Sequence, residues 1–153
     1  LKTSKNLVIL KAFTKLYGMA GVRLGYCLCS DENRLARMQT AGQPWAVSSL
    51  AQAAGIAALD ETAYVEQVRT LIKTQRPMFA DGLRALGLRV IEGKANYLLF
   101  RAPETLGDAL KQKGAVLRSC GNYPGLDAGW YRTAVRTEAE NQQLLALLRE
   151  VLA

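Results

Sequence analysis

The chain has 153 residues, half of them hydrophobic, and a net charge of +7. That length suits one ordinary domain with a hydrophobic core. The chain contains no histidine, which excludes Ser-His and Cys-His catalysis and most zinc sites within it.

The distribution of charged residues and the number of cysteines further limit the functional classes and locations that fit this protein. Basic residues are scattered and mostly interspersed with acidic ones, so solvated faces with a few anion-binding arginines are favoured over a nucleic-acid surface, which would bind DNA with a steep salt dependence. No apolar run approaches the roughly 20 residues of a membrane helix. Three cysteines, an odd number, predict reduced thiols and a cytoplasmic location. Because Leu1 is not a methionine and an apolar strand follows closely, we expect the chain to be part of a longer protein.

The first half of the chain predicts strands and a helix. Short continuous apolar runs at 6–10 and 24–29 predict two buried strands of a parallel or mixed sheet. A helix follows from 30 to 42, with Ser30 able to act as its N-cap and Gly42 as its stop.

Two helical segments occupy the middle. The small residues of 46–60 predict a helix buried on most sides. The helical pattern continues over 61–87, with Pro77 as a kink or irregularity.

After Gly87 the pattern predicts a small α+β unit. Its predicted elements are strands over 88–93 and 95–102, a helix over 103–114, strands over 115–120 and 130–136, and a helix over 137–153. Thr137, followed three residues later by Glu140, predicts a capping box at the start of the last helix. The chain is therefore predicted to be the end of a larger α/β unit, bridging helices and this α+β unit.

Lys15 and Arg23 stand in the otherwise apolar stretch AFTKLYGMAGVRLGY, residues 12–26. A lysine directly after a buried strand is expected to lose solvation, which favours a neutral amine that can form a Schiff base with a carbonyl. The guanidinium fork of an arginine suits a phosphate, and Thr14 adds a hydroxyl donor. Spacing alone favours a surface lysine and a structural arginine instead.

The same stretch resembles the lysine segment of the class I and II aminotransferases of pyridoxal 5′-phosphate (PLP) fold type I. That segment reads Ser/Thr-Lys, an aromatic residue two positions on, then Gly-x-Arg-x-Gly-Tyr/Phe. Segments 43–55, 94–100 and 116–141 are similar to other parts of that family, so the resemblance covers the whole chain. It implies an α/β fold with the end of the large PLP-binding domain, interdomain helices and a small α+β domain, over 1–42, 43–86 and 87–153.

The resemblance also implies site residues. Its functional positions are Lys15 as the catalytic lysine, Thr14 and Arg23 at the cofactor phosphate, Arg132 at the substrate α-carboxylate, and Arg118 and Asn96 at the substrate. PLP is the implied cofactor, a small amino acid or phosphorylated amine the implied substrate, and a homodimer the implied assembly.

The residues themselves leave alternatives open. Arg132 shares a strand face with Trp130 and Ala134, where a half-buried arginine requires a bidentate anion, either a ligand or an internal salt bridge. Asn96 is either a substrate contact or a turn partner, and Tyr17 either contacts the cofactor or packs in the core. Arg136 is expected at the surface.

Two departures from the family pattern matter. Ala12 occupies the position of a serine that contacts the cofactor phosphate in many relatives. The family's aspartate for the pyridine nitrogen, its ring-stacking aromatic, its Asn-Pro segment and its phosphate loop lie upstream of the lysine and are absent from the chain. We therefore expect the carboxy-terminal portion of a PLP enzyme that is inactive alone.

Three functions remain open at this point. The segments RSCGNYPGLD and YRTAVR lean toward threonine-phosphate decarboxylase. Histidinol-phosphate aminotransferase, or another amino-acid transaminase, is the alternative within the family. A non-catalytic folded fragment that lacks the upstream cofactor residues is the alternative outside catalysis.

Overall fold

The computed structural model describes residues 4–153 as a mixture of helices and strands. In chain order the elements are β1 (Val8–Ala12), α1 (Phe13–Leu16), β2 (Gly25–Cys29), α2 (Glu32–Ala41), α3 (Ser49–Asp60), α4 (Thr62–Ala85), β3 (Arg89–Ile91), β4 (Tyr97–Arg101), α5 (Leu106–Gln112), β5 (Arg118–Ser119), β6 (Trp130–Ala134) and α6 (Glu138–Leu152). The chain divides into two compact units, Leu1–Val68 and Arg69–Ala153. The three-part division predicted from the sequence stays a prediction.

In the first unit β1 and β2 pair as an antiparallel ladder. The prediction of two buried strands in a parallel or mixed sheet was wrong for the described residues, because these strands pair with each other and stay partly open to solvent. Leu10, for example, is 75% exposed. A continuous apolar run indicates that a strand can be covered on both faces, but it does not supply the element that covers it.

Helix α2 begins one residue later than predicted. Asp31, not Ser30, is its N-cap, and the Asp31 carboxylate accepts a hydrogen bond from the Arg34 N–H at 3.1 Å. Both residue types cap helices well, so the sequence leaves the choice open. The helix ends as predicted at Gly42, whose N–H donates to the carbonyls of Met38 and Gln39.

Helix α3 is buried along one stripe, not on most sides as predicted. The stripe consists of Ala51, Gly55 and Ala58, whereas Leu50 is 82% exposed. At Gly55 an added Cβ would lie 2.3 Å from the Leu24 Cδ2 atom. Small residues permit close packing on any face of a helix. In α3 the closely packed face is the one that contacts the loop before β2.

The second unit is built on a four-stranded antiparallel sheet of order β3-β4-β6-β5. One face carries the core, in which Leu98 and Phe100 of β4 pack with Phe79 and Leu83 of α4. Helices α5 and α6 complete this core. The predicted strand and helix order of this unit is confirmed, and α4 continues through Pro77 as one helix.

The start of α6 has the predicted capping box. The Thr137 hydroxyl and the Thr137 N–H both donate to Glu140 Oε2, at 2.6 and 3.2 Å. These two hydrogen bonds, with a smaller effect of the Arg136 charge, hold the pKa of Glu140 below its ordinary value. The ionised form of Glu140 is therefore favoured in the folded chain.

Asn141, one residue further along α6, is buried and fully used in hydrogen bonding. Its side chain accepts from the Arg136 N–H at 3.0 Å and donates to the Arg136 carbonyl at 2.9 Å. It also donates to Gln75 Oε1 at 3.4 Å, which ties α6 to α4. Among residues 4–153, no helix is both long and apolar enough to cross a membrane.

Candidate functional site

The loop between β1 and β2 carries Thr14, Lys15 and Arg23. Ala12 and Gly25 are the last register partners of the β1–β2 ladder, so the loop leaves and re-enters the sheet at neighbouring positions. A Cβ on Gly25 would lie 2.8 Å from the Lys11 carbonyl oxygen, so this close approach requires glycine. The two ends of the segment that holds all three predicted cofactor residues therefore lie next to each other.

Phe13 anchors this loop. Its side chain is buried, and its ring lies 5.0 Å from the Tyr17 ring and 5.8 Å from the Tyr26 ring. Its N–H donates to the Leu24 carbonyl at 3.2 Å, and its carbonyl accepts from the Met19 N–H at 3.2 Å. An aromatic centre and backbone bonds therefore fix the loop, while the polar side chains remain outside the packed centre.

Lys15 lies in the single turn of α1 and is exposed. The expectation that Lys15 loses solvation was wrong for the described residues, because the strand that precedes it is itself open to solvent. The Lys15 carbonyl accepts from the Gly18 N–H at 3.2 Å, so the backbone of the turn is held while the amine is accessible. An accessible amine can meet a carbonyl group.

Arg23 has a backbone conformation that is unusual for an arginine. Its φ of +56° is in the left-handed region, which non-glycine residues seldom adopt and which often marks functional segments. The guanidinium Nη1 donates to the Ala20 carbonyl at 3.1 Å. Because the Phe13 N–H donates to the Leu24 carbonyl, Thr14 and Arg23 are the next residues on either side of the loop base.

Tyr17 has contacts that agree with core packing. Besides meeting Phe13, it lines a cavity of about 270 Å³ within the first unit. Met19, Ala58, Glu61 and Tyr64 form the rest of its lining. A cofactor contact for Tyr17 stays a prediction.

A second group of predicted residues lies on the open face of the four-stranded sheet. Arg118 on β5 is the register partner of Arg132 on β6, and Leu99 on β4 is the partner of Arg132 on its other side. Directly opposed residues of antiparallel strands point to the same face. The two arginine side chains therefore emerge side by side, opposite the core.

Both arginines lie over tyrosine rings. The Arg132 guanidinium is 4.9 Å from the centre of the Tyr97 ring, and the Arg118 guanidinium is 5.8 Å from the centre of the Tyr123 ring. Within residues 4–153 neither arginine forms a salt bridge. The alternative of an internal salt bridge for Arg132 is therefore not found in this part of the chain.

Asn96 immediately precedes β4 and is exposed. Its carbonyl accepts from the Val135 N–H at 2.9 Å, which extends the pairing between β4 and β6. That contact agrees with a structural role for its backbone. Arg136 is exposed as expected and pairs with Glu140 at 3.0 Å.

The structure thus groups the predicted residues into two sets within separate units. Thr14, Lys15 and Arg23 share one loop, and Arg118 and Arg132 share one row of a sheet. Tyr97 and Tyr123 were missed. Strand alternation could have found Tyr97, two residues before Leu99, whereas Tyr123 lies among turn residues whose pattern carries no such signal.

Gly129 sets the entry into β6 and hence the position of Arg132. Its φ is +92°, and an added Cβ would lie 2.7 Å from the Ala102 carbonyl oxygen. We expect Gly129→Ala to lower the free energy of unfolding by about 2–3 kcal/mol, since backbone strain and a backbone clash combine. Gly87→Ala is the control, because Gly87 has φ +77° with nothing near its added Cβ. Urea unfolding measures both, and equal losses would contradict this reasoning.

In the described part of the chain, no group of three or more acidic or cysteine side chains could hold a metal ion. Cys27, Cys29 and Cys120 are free thiols.

Comparison with known proteins identifies relatives over nearly the whole chain. Residues 1–148 match the model of the family described as aminotransferase class I and II. Threonine-phosphate decarboxylase of Salmonella typhimurium is 40% identical over 99% of this chain and 43% of its own length.

Solved structures agree on the fold. The histidinol-phosphate aminotransferase of Clostridium acetobutylicum matches 99% of this chain and 47% of its own, with 32% identity and a TM-score of 0.94. A histidinol-phosphate aminotransferase from Sinorhizobium meliloti, solved with pyridoxal-5′-phosphate, shares the fold at 24% identity and a TM-score of 0.81 over 97% of this chain and 41% of its own. The chain has the α/β fold of part of a fold type I enzyme and spans less than half the length of these proteins.

Proposed function

Because the chain belongs to the class I and II aminotransferase family, we propose that it supplies the lysine, phosphate and substrate-anion contacts of a PLP-dependent enzyme. PLP is the cofactor of this family. The whole protein would act on an amino acid or an amino phosphate. The observation that carries the proposal is one closed loop that presents an accessible lysine amine together with an arginine in the left-handed conformation.

Each residue of the loop has a distinct role in this proposal. Lys15 would hold the cofactor through its Nζ atom, and its amine would move a proton at the reacting carbon of the substrate. Arg23 and Thr14 would hold the cofactor phosphate, the arginine by charge and the threonine by its hydroxyl. When bound, PLP supplies the electron-withdrawing ring that stabilises negative charge on the substrate carbon.

The sheet supplies the substrate side. Arg118 and Arg132 lack acidic partners in the described part of the chain, so an external anion would complete them. We assign Arg132 to the substrate α-carboxylate and Arg118 to a second anionic group, with Asn96, which directly precedes β4, as a further contact. We propose 1–42, 43–86 and 87–153 as the domain segments of this chain.

Threonine-phosphate decarboxylation is the reaction we favour. The 40% identical relative has that name, and its substrate carries both a carboxylate and a phosphate, which suits two neighbouring arginines. Transamination of histidinol phosphate is the second candidate, supported by the 32% identical solved structure. We propose that the 153 residues alone are inactive, since they span less than half of those enzymes.

Assembly and location are part of the same proposal. Trp45, a large aromatic side chain, is 98% exposed in a left-handed backbone conformation, and association would cover it. We propose that the whole protein forms a homodimer. Three free thiols fit the reducing conditions of the cytoplasm.

Borohydride reduction tests the central assignment. The whole protein is loaded with PLP, reduced and digested, and the peptide that retains the cofactor is sequenced. We expect attachment at Lys15, and unchanged attachment in a Lys11→Arg control, because Lys11 is also an exposed lysine and lies on β1 of the same hairpin. Cofactor on any other residue would refute the assignment. Product analysis with threonine phosphate, against histidinol phosphate plus 2-oxoglutarate, separates the two reactions.

A further inference from the structure

Arg118 and Arg132 form a pair of like charges that the described residues do not neutralise. As register partners on adjacent strands, their Cβ atoms are about 5 Å apart, and like charges placed directly opposite repel. The carboxylate of Asp127 is paired with another arginine, since it lies 2.9 Å from Arg101. The sheet therefore needs another means of holding the two guanidiniums in place.

Each guanidinium has an aromatic support of its own. Tyr97, which supports Arg132, belongs to β4, whereas Tyr123, which supports Arg118, belongs to the loop after β5. Both rings remain more than one-third exposed, at 41% and 37%. An exposed ring beneath a guanidinium attracts the charge through its face and leaves the edge N–H donors free for an anion.

We infer that Tyr97 and Tyr123 are positioning residues that hold Arg132 and Arg118 on separate supports, so that the pair receives an anionic substrate without first being rearranged. The inference rests on the proposed function for the identity of the natural substrate, but not for the anion binding itself. A guanidinium held against a ring loses less conformational freedom when the anion arrives.

The same sheet face offers an internal comparison. Arg89 and Arg101 both lie over Trp130, at 5.7 and 5.9 Å. They are register partners on β3 and β4, as Arg118 and Arg132 are on β5 and β6. Arg101 differs because it is paired with Asp127, so this second pair is partly neutralised. Replacing Arg89 with a neutral residue removes one positive charge from this sheet face, as replacing Arg132 does. It leaves the contacts of Tyr97 and Tyr123 with their arginines in place.

Calorimetric titration of the PLP-loaded whole protein with inorganic phosphate tests the inference. We expect Tyr97→Leu and Tyr123→Leu each to weaken phosphate binding by about threefold to thirtyfold, the range for a lost cation–π contact. Tyr97→Phe and Tyr123→Phe keep the ring and should bind within about twofold of the unmodified protein. Arg89→Gln should also leave the affinity nearly unchanged, while Arg132→Gln should weaken phosphate binding by about tenfold to a hundredfold.

The outcomes distinguish a positioning role of Tyr97 and Tyr123 from a purely structural role. If the Leu variants bind phosphate as tightly as the unmodified protein, or if the Phe variants bind as weakly as the Leu variants, the inference is wrong. The inference would also be wrong if no phosphate binding is detected, or if Arg132→Gln does not weaken it. Steady-state kinetics provide the second readout, in which Tyr97→Leu should raise KM for the anionic substrate more than it lowers kcat. A failure of cofactor attachment at Lys15 would refute the proposed function while leaving the titration result intact.

Discussion

Replacing Lys15 with alanine is expected to lower the activity of the whole protein by at least about a thousandfold, because the change removes both the covalent anchor of the cofactor and the group that moves the proton. The aldehyde would lose its only covalent partner in the loop, so the absorbance of the lysine-bound cofactor should disappear. Stopped assays and absorbance spectra of the loaded protein measure the two effects.

The same substitution should hardly alter stability. Lys15 is exposed, and the loop is fixed by Phe13 and by backbone hydrogen bonds that alanine preserves. Exposed substitutions of this kind usually change the free energy of unfolding by less than about 0.5 kcal/mol. Lys11→Ala is the matched control and should retain activity. Normal turnover by Lys15→Ala, or loss of folding with it, would show that Lys15 does not have the proposed role.

The segments that could be predicted well are those whose causes are local. Thr137 and Glu140 predicted a capping box because both partners lie within one helical turn, and the hydrogen bonds are present. Strands were predicted over 95–102 and 130–136, and β4 and β6 lie within those ranges. Such features depend on neighbours in the sequence, so one sequence is sufficient to identify them.

What failed depended on distant partners. The apolar runs of β1 and β2 indicated burial, but burial requires another element, and the described residues do not place one over Leu10. The choice of Asp31 over Ser30 as N-cap depends on where the chain turns after β2. Local composition describes what a segment can do, whereas its surroundings decide what it does.

The candidate site shows the same division. Resemblance led to Lys15, Arg23 and Arg132, but the left-handed conformation of Arg23 and the pairing of Arg132 with Arg118 are properties of the folded chain. A strand face can be read by counting alternate residues, which was done for Trp130 and Ala134. The partner on the next strand requires the register, which depends on the geometry of the loops.

Arg132→Gln is expected to weaken substrate binding by about tenfold to a hundredfold, because one bidentate charged contact contributes roughly 1.5–3 kcal/mol. Arg132→Lys should recover only part of this loss, since lysine keeps the charge but lacks the planar fork and its stacking on Tyr97. KM and inhibitor constants of the whole protein measure the change. Arg136→Gln is the matched control: it removes the same charge from an exposed residue that pairs with Glu140.

The stability of the Arg132→Gln variant should not fall together with its substrate affinity. This difference distinguishes a binding residue from a structural one. Arg132 faces Arg118 across the ladder without an acidic partner in the described residues, so removing its charge relieves repulsion. The free energy of unfolding of Arg132→Gln should therefore be unchanged or higher, as expected where a site retains charges for binding at the expense of stability. A marked loss of stability in urea unfolding, with substrate affinity retained, would instead assign Arg132 to the architecture of the sheet.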